Sequence, residues 1–257
     1  MKFKINRNDE YLQELKKTVS ANYNLKINDI KEANRGIDGE TWNIYLDNNQ
    51  KVFVKMGYLK DHIQRLKRSV NAIQYMQENG VNNINKIIKN NKGRNYIEFN
   101  NEIVVLFEYI DGQVDFDIPY TRVMENLIKI YKLGDNQIIQ REDFKVKEII
   151  DNLNKAINSI NNNETKLKNM LNLYNVQIQQ DINNLLKLQR IVNKTGKKFI
   201  THGDCCVNII EGKEKDCIID WDDAMVAPIE RDCWFFMNVK SKIDDINQML
   251  IKNRHRL

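Results

Sequence analysis

Apolar and polar residues alternate through Thr41-Trp42-Asn43-Ile44-Tyr45-Leu46, after the glycine-containing segment Arg35-Gly36-Ile37-Asp38-Gly39-Glu40. A period of two is that of a half-buried strand. Beyond an Asn-rich turn at Asp47 to Gln50, Val52-Phe53-Val54-Lys55-Met56 reads as the return strand, so the pair predicts a β-hairpin carrying a lysine. The period then changes: Ile63, Leu66, Val70, Ile73 and Met76 recur at three- and four-residue steps, which predicts a helix, and Gly80 supplies its stop. A second hairpin is predicted from Asn95 to Phe99, through Asn100-Asn101, and back along Glu102 to Ile110.

A long helical stretch follows. Val146, Ile149, Ile150, Leu153, Ile157 and Ile160 form one apolar stripe, and Leu167, Met170, Leu171, Tyr174, Ile178, Ile182 and Leu185 form another, both expected to be core. Strand patterning returns near Ile200, where a strand, loop, strand, strand unit runs to Trp221. From Cys233 to Leu257 there is room for one helix or two short ones.

Chemistry concentrates in that last strand-rich unit. Ile200-Thr201-His202-Gly203-Asp204-Cys205-Cys206-Val207-Asn208 puts an aspartate and an asparagine on one loop, and Ile218-Ile219-Asp220 ends the next hairpin with a second aspartate. Oxygen donors of this kind hold Mg²⁺, and an aspartate nearby aligns a hydroxyl for in-line attack on a phosphoryl group. On the hairpin, Lys55 stands among Phe53, Val54 and Met56, where an unpaired ammonium is expensive, so it is expected to face a negative partner.

His202-Gly203-Asp204 with Asn208, then Ile219-Asp220-Trp221-Asp222, then Ala227-Pro228-Ile229-Glu230-Arg231-Asp232, resembles the aminoglycoside phosphotransferase family, most of all its spectinomycin-phosphotransferase-like branch. The resemblance implies an α+β, two-lobed protein-kinase-like fold with an amino-terminal antiparallel sheet plus helix and a mainly helical carboxyl-terminal lobe. It implies a nucleotide-binding lobe over residues 1–107, and a hinge and helical lobe over 108–257 with the catalytic loop and acceptor site. By the same likeness Asp204 is the catalytic base, Asn208 and Asp220 are metal ligands, and Asp222 lies beside the metal or the substrate hydroxyl. Glu230, Arg231 and Asp232 buttress the loop, and His202 fixes it rather than acting as an acid. Gly36, Gly39 and Lys55 cover the phosphates of ATP. The backbone at Glu108 and Ile110 hydrogen-bonds adenine, the competing reading being an ordinary core strand that leaves the sheet at Gly112.

Two departures stand out. Only Cys205, Cys206 and Val207 separate Asp204 from Asn208 where the family has four residues, a difference of up to about 3.5 Å along an extended chain. The helix after Lys55 carries Arg65, Lys67, Arg68, Ser69 and Asn71 in its middle, with Glu78 near its end, so the glutamate that pairs with the strand lysine in kinase-like folds is missing. Either Lys55 finds another acid or the pair is absent.

Composition narrows the setting. The formal charge of +5 over 257 residues is spread without a basic stripe, which argues against a nucleic-acid partner. No apolar run is long enough for a bilayer, and Met1-Lys2-Phe3-Lys4-Ile5-Asn6 lacks the core of a secretory signal, giving the expectation of a cytoplasmic protein with no membrane partner. Four cysteines at unmatched spacing are expected to be reduced thiols. From Asp204 to Asp232 nine acids face three bases, a field suited to Mg²⁺ and a cationic acceptor. His62 and His255 are read as surface residues, Trp221 as a core anchor, and Trp42 and Trp234 stay unassigned.

The expected activity is transfer of the γ-phosphate of ATP, with Mg²⁺, to a hydroxyl of a small molecule, an aminoglycoside or aminocyclitol antibiotic first. The alternatives are a metabolite acceptor such as choline, homoserine or a sugar, and a kinase-fold protein with little catalysis, such as a spore-coat-like structural component. The sequence leaves the oligomeric state open.

Overall fold

The computed structural model describes residues 7–33, 39–114, 117–161, 164–192, 194, 196–236 and 240–253. Two compact units are present: one is Met1–Gln140 together with Phe199–Leu257, and the other is Arg141–Lys198.

The first unit begins with helix α1 (Asp9–Tyr23), which the sequence reading did not anticipate. Asn8 caps it by accepting from Tyr11 N–H at 2.9 Å, and Asn24 ends it in the left-handed region at φ 52°. Strands β1 (Ile27–Glu32), β2 (Glu40–Leu46) and β3 (Lys51–Gly57) follow, then α2 (Lys60–Glu78), β4 (Ile97–Phe99) and β5 (Glu102–Glu108). They form one antiparallel sheet in the order β1-β2-β3-β5-β4. The Asn100-Asn101 turn has both residues at positive φ, 49° and 63°, the conformation that matches the twist of a two-residue hairpin.

The period of two divides the sheet's side chains between two cores. Trp42, Ile44, Val54, Met56, Val104 and Leu106 pack with Leu15, Val19 and Tyr23 of α1. Val105 and Phe107 point the other way, into the core that holds Leu66, Val70, Ile73 and Met76 of α2. Phe53 and Lys55 share that second face, and the alternation therefore turns the lysine away from α1. Helix α2 follows the expected stripe, and Gly80 adopts φ 79° just beyond it.

After the sheet come β6 (Gly112–Val114) and α3 (Tyr120–Tyr131), whose Val123, Met124, Leu127, Ile130 and Tyr131 are all buried. The second unit supplies α4 (Val146–Asn158) and α5 (Thr165–Val192). Val146 apart, their stripes are not the expected core: none of the side chains of α5 is buried, and Leu167, Met170 and Tyr174 are exposed by 42%, 50% and 54%. Amphipathic periodicity identified the helices correctly but not what would cover them.

The first unit resumes with β7 (Phe199–Thr201), β8 (Ile209–Gly212), β9 (Asp216–Ile218), β10 (Met225–Ala227) and α6 (Lys240–Lys252). These strands make a pair, β10-β7, and a three-stranded sheet, β6-β8-β9, all antiparallel. Arg122 of α3 braces the β8–β9 hairpin, donating to both carboxylate oxygens of Asp216 at 2.8 and 2.6 Å and to Glu211 at 2.9 Å. This is the bidentate geometry that guanidinium and carboxylate favour. No helix among the described residues is long and apolar enough to cross a membrane.

Candidate active site

The loop between β7 and β8 is held from behind by one buried carboxylate. Asp232, 2% exposed, accepts from His202 N–H at 3.2 Å, from Gly203 N–H at 2.5 Å and from the Tyr131 hydroxyl at 2.8 Å. Burial, and then the charge of Asp232, push the Tyr131 phenol far above its ordinary pKa, so it remains a donor. Gly203 has φ 88°, and the space a Cβ would fill is taken by the Arg231 guanidinium, so both conformation and packing demand glycine. Arg231 donates to Thr201 Oγ1 at 3.2 Å and to the Asp223 carbonyl at 2.8 Å. Glu230 takes part through its backbone carbonyl, which accepts from Cys233 N–H, while its side chain is exposed.

His202 is fully buried and structural in its bonding. Its Nε2 donates to the Ile219 carbonyl at 2.8 Å, Nδ1 accepts from Asp204 N–H at 3.1 Å, and the ring stands edge-on to Trp221 with centroids 4.6 Å apart. Trp221 is 0% exposed, the core anchor expected of it. Trp42 is also in the core, whereas Trp234 is exposed and donates from Nε1 to the Gly203 carbonyl at 2.9 Å.

Asp204, Asn208 and Asp220 meet at one cavity of about 870 Å³. The three residues between Asp204 and Asn208 form a single 3-10 turn, closed by Asn208 N–H to the Cys205 carbonyl at 3.1 Å. The Asn208 amide nitrogen donates to the Asp204 carbonyl at 2.7 Å, so Oδ1 is the side-chain atom that could serve a metal ion. Its backbone carbonyl accepts from Ile219 N–H at 2.8 Å, tying the loop to the residue before Asp220. Asp220 itself is left-handed (φ 64°, ψ 56°), a conformation uncommon for a residue with a side chain and concentrated at functional sites. Burial, and then the charges of Asp220 and Asp223, raise the Asp204 carboxyl above its ordinary pKa, against the pull of His202.

Lys55 enters the cavity from β3 and resolves the question left by the missing glutamate. Its Nζ lies 2.5 Å from Asp220 Oδ1 and 2.8 Å from Asp222 Oδ2. Burial would lower the lysine pKa, but the two carboxylates outweigh it and raise it. Burial would likewise raise Asp222; the hydrogen bond from His62 and the Lys55 charge prevail and hold it well below the carboxylate range.

His62 corrects the sequence reading. Far from being a surface residue, it is 2% exposed, and its Nε2 lies 3.0 Å from Asp222 Oδ2. It stands four residues before Leu66 on the buried stripe of α2, so the same periodicity that located the helix pointed to it. Arg65, also missed, places Nη1 3.6 Å from Asp223 Oδ1. Gly39 lies against the His62 ring and the Met56 carbonyl, so its lack of a side chain serves that packing. Gly36 and His255 lie outside the described residues.

At the end of β5, Glu108 N–H is already given to the Lys86 carbonyl at 2.9 Å. The Glu108 carbonyl and the Ile110 N–H are thus the candidate adenine contacts, on a cavity wall shared with Phe53, Phe107, Ile210 and Ile219. The four cysteines are free thiols. Cys205 is raised well above its ordinary pKa by burial, and Cys206 is pushed up to about 12 for the same reason.

No family model matches this sequence, and no curated protein matches it. Solved structures do. Spectinomycin phosphotransferase in complex with ADP and spectinomycin superposes with a TM-score of 0.68 at 19% identity, over 91% of this chain and 78% of that one. An aminoglycoside phosphotransferase from Alicyclobacillus acidocaldarius gives 0.61 at 14% identity, over 90% and 72%. A putative fructosamine-3-kinase from Haemophilus somnus gives 0.58 at 13%, over 93% and 84%. This chain has their fold. It is the two-lobed, α+β, protein-kinase-like architecture that the motifs implied.

Proposed function

We propose that this protein is an ATP-dependent phosphotransferase that moves the γ-phosphate to a hydroxyl of a small molecule. The reading rests on one observation above all: Lys55, Asp204, Asn208 and Asp220, drawn from opposite ends of the chain, face one cavity. Asp220 offers a carboxylate and Asn208 a carboxamide oxygen, the hard oxygen donors that fit Mg²⁺. The ion would neutralise charge on the transferred phosphoryl group. Lys55 would bind the phosphates as a point charge, and the Glu108 carbonyl with the Ile110 N–H would read adenine. Asp204 accepts a hydrogen bond from the acceptor hydroxyl, aligns its oxygen, and takes the proton as the new O–P bond forms and ADP leaves. Asp222, Arg231, Asp232 and His202 support that geometry.

The acceptor we favour is a cationic aminoglycoside or aminocyclitol, because Asp204, Asp220, Asp222 and Asp223 give the cavity an acidic floor. A sugar-derived metabolite is the second reading, supported by the likeness to a putative fructosamine-3-kinase. A lobe boundary near residues 107 and 108 and a cytoplasmic location, where ATP is supplied and the four free thiols stay reduced, fit the same reading.

The test is thermal stabilisation by nucleotides with Mg²⁺, followed by ADP release against a panel of aminoglycosides, aminocyclitols, choline, homoserine and sugars. Stabilisation by ATP with Mg²⁺ and release with one acceptor class is expected. A protein indifferent to every nucleotide at millimolar concentration would overturn the reading.

A further inference from the structure

Kinase-like folds usually anchor the nucleotide lysine with a carboxylate on the helix that follows it. Here α2 presents a histidine instead, and the carboxylate comes from the turn after β9. Three observations set His62 apart from a histidine that merely fills space. Its ring is buried, and only one nitrogen is satisfied: Nε2 faces Asp222 Oδ2 at 3.0 Å, while Nδ1 has no hydrogen-bond partner among the described residues. The bond joins α2 to the turn that follows Asp220, so it ties together two elements that line the cavity rather than staying within one. The oxygen that receives it is the same one that holds Lys55 at 2.8 Å.

We propose that His62 is a positioning residue that completes an inverted lysine pair, in which Asp222 supplies the permanent counter-charge of Lys55 and His62 supplies the donor that holds Asp222 in place. The proposal rests on the phosphotransferase reading. Its logic follows from the two carboxylates on Lys55. Asp220, whose side chain is 47% exposed, is the one available to a metal ion, whereas Asp222, at 12%, is enclosed between Lys55 and His62. When Asp220 turns to a cation, Asp222 remains as the partner that keeps the lysine extended toward the phosphates. A hydrogen-bond donor on α2 suits that arrangement, because a glutamate there would set a second carboxylate against the Asp222 oxygen that already holds the lysine.

Charge-swapping variants separate this proposal from the simpler idea that α2 has just lost its acid. His62→Ala is expected to raise the KM for ATP with Mg²⁺ on the order of tenfold, the scale of one hydrogen bond to a charged group, with the KM of the acceptor unchanged. His62→Gln, which keeps a donor in place of Nε2, is expected to recover to within about threefold of wild type. His62→Glu is expected to bind ATP more weakly than His62→Ala, and the double variant His62→Glu/Asp222→Asn to recover most of that loss, since the carboxylate and its donor have only changed sides. Circular dichroism and melting without nucleotide establish that each variant folds; should His62→Glu not fold, His62→Ala and His62→Gln carry the test. Tighter ATP binding by His62→Glu, additive losses in the double variant, or no recovery with His62→Gln would overturn the proposal. A wild-type protein that ignores nucleotides altogether would instead overturn the reading beneath it.

Discussion

Replacing Asp232 by asparagine tests the support of the loop between β7 and β8 with the smallest change of shape. The carboxylate accepts three hydrogen bonds, two at Oδ2 from His202 N–H and the Tyr131 hydroxyl and one at Oδ1 from Gly203 N–H. A carboxamide has one accepting oxygen. If its nitrogen takes the Oδ2 side, Tyr131 can rotate to accept from it, but His202 N–H then faces a donor; on the Oδ1 side, Gly203 N–H does. Either way one buried backbone N–H loses its partner, and the charge that strengthened the others is gone. An unsatisfied buried donor costs about 1–3 kcal/mol, so roughly 2–3 kcal/mol is expected for Asp232→Asn in all. At about 2–4 °C per kcal/mol for a protein of this size, the melting temperature should fall by roughly 5–10 °C. Tyr131→Phe removes one donor and leaves both N–H groups paired, so it should cost less, about 1 kcal/mol. Differential scanning calorimetry of the two variants and wild type decides the matter. An Asp232→Asn protein melting within 2 °C of wild type, or less stable Tyr131→Phe than Asp232→Asn, would mean that this carboxylate does not hold the loop.

Other expectations follow from the same site. ATP with Mg²⁺ at a hundred times its dissociation constant should stabilise wild type by about 2.7 kcal/mol, and Lys55→Ala or Asp220→Ala should remove most of that shift in a thermal-shift titration. Because Asp204 must be ionised to act and its pKa is raised, the acid limb of kcat/KM should lie above the ordinary carboxylate pKa; Asp223→Asn removes one of the raising charges and should move the limb to lower pH. A raised folded-state pKa means that ionised Asp204 opposes folding above its unfolded-state pKa, so Asp204→Asn should melt higher than wild type at neutral pH, with the gain vanishing at low pH, while turnover falls by at least about a hundredfold. Inserting a glycine after Cys206 should weaken nucleotide binding, since the turn from Cys205 to Val207 is already closed, and a gain in affinity would show Asn208 to be out of register.

The parts of the fold legible in the sequence were those with an uninterrupted period. β2, β3 and β5 alternate or run largely apolar over five residues or more, and Asn100-Asn101 marks its own turn. β1 was not legible because Ile27-Asn28-Asp29-Ile30-Lys31-Glu32 has only two apolar residues. It is an edge strand, paired on one side and largely exposed, and edge strands need little hydrophobic signal. α1 buries only Leu15, Val19 and Tyr23, a narrow stripe among lysines and glutamates. In α4 and α5 the opposite happened: the stripes were strong, yet burial depends on a partner surface that periodicity does not contain.

The candidate site divides along the same line between local and long-range information. His202, Gly203, Asp204, Asn208 and Asp220 are close in sequence, and their spacing fixes which can meet. Lys55 and Asp222 are 167 residues apart, and nothing local in either segment says that they touch; the pairing appears only once β3 and the turn after β9 face one cavity. The shortened loop shows how a count of residues can mislead. Measured along an extended chain, one missing residue moves Asn208 by up to about 3.5 Å, but a 3-10 turn rises only about 2 Å per residue and closes on itself. Asn208 is then fixed twice, by its amide on the Asp204 carbonyl and by its own carbonyl on Ile219 N–H, and these bonds hold it beside Asp204 and Asp220. What sets Asn208 beside Asp220 is therefore the β8–β9 hairpin, where Ile209 pairs with Ile218 and the Asn208 carbonyl accepts from Ile219 N–H.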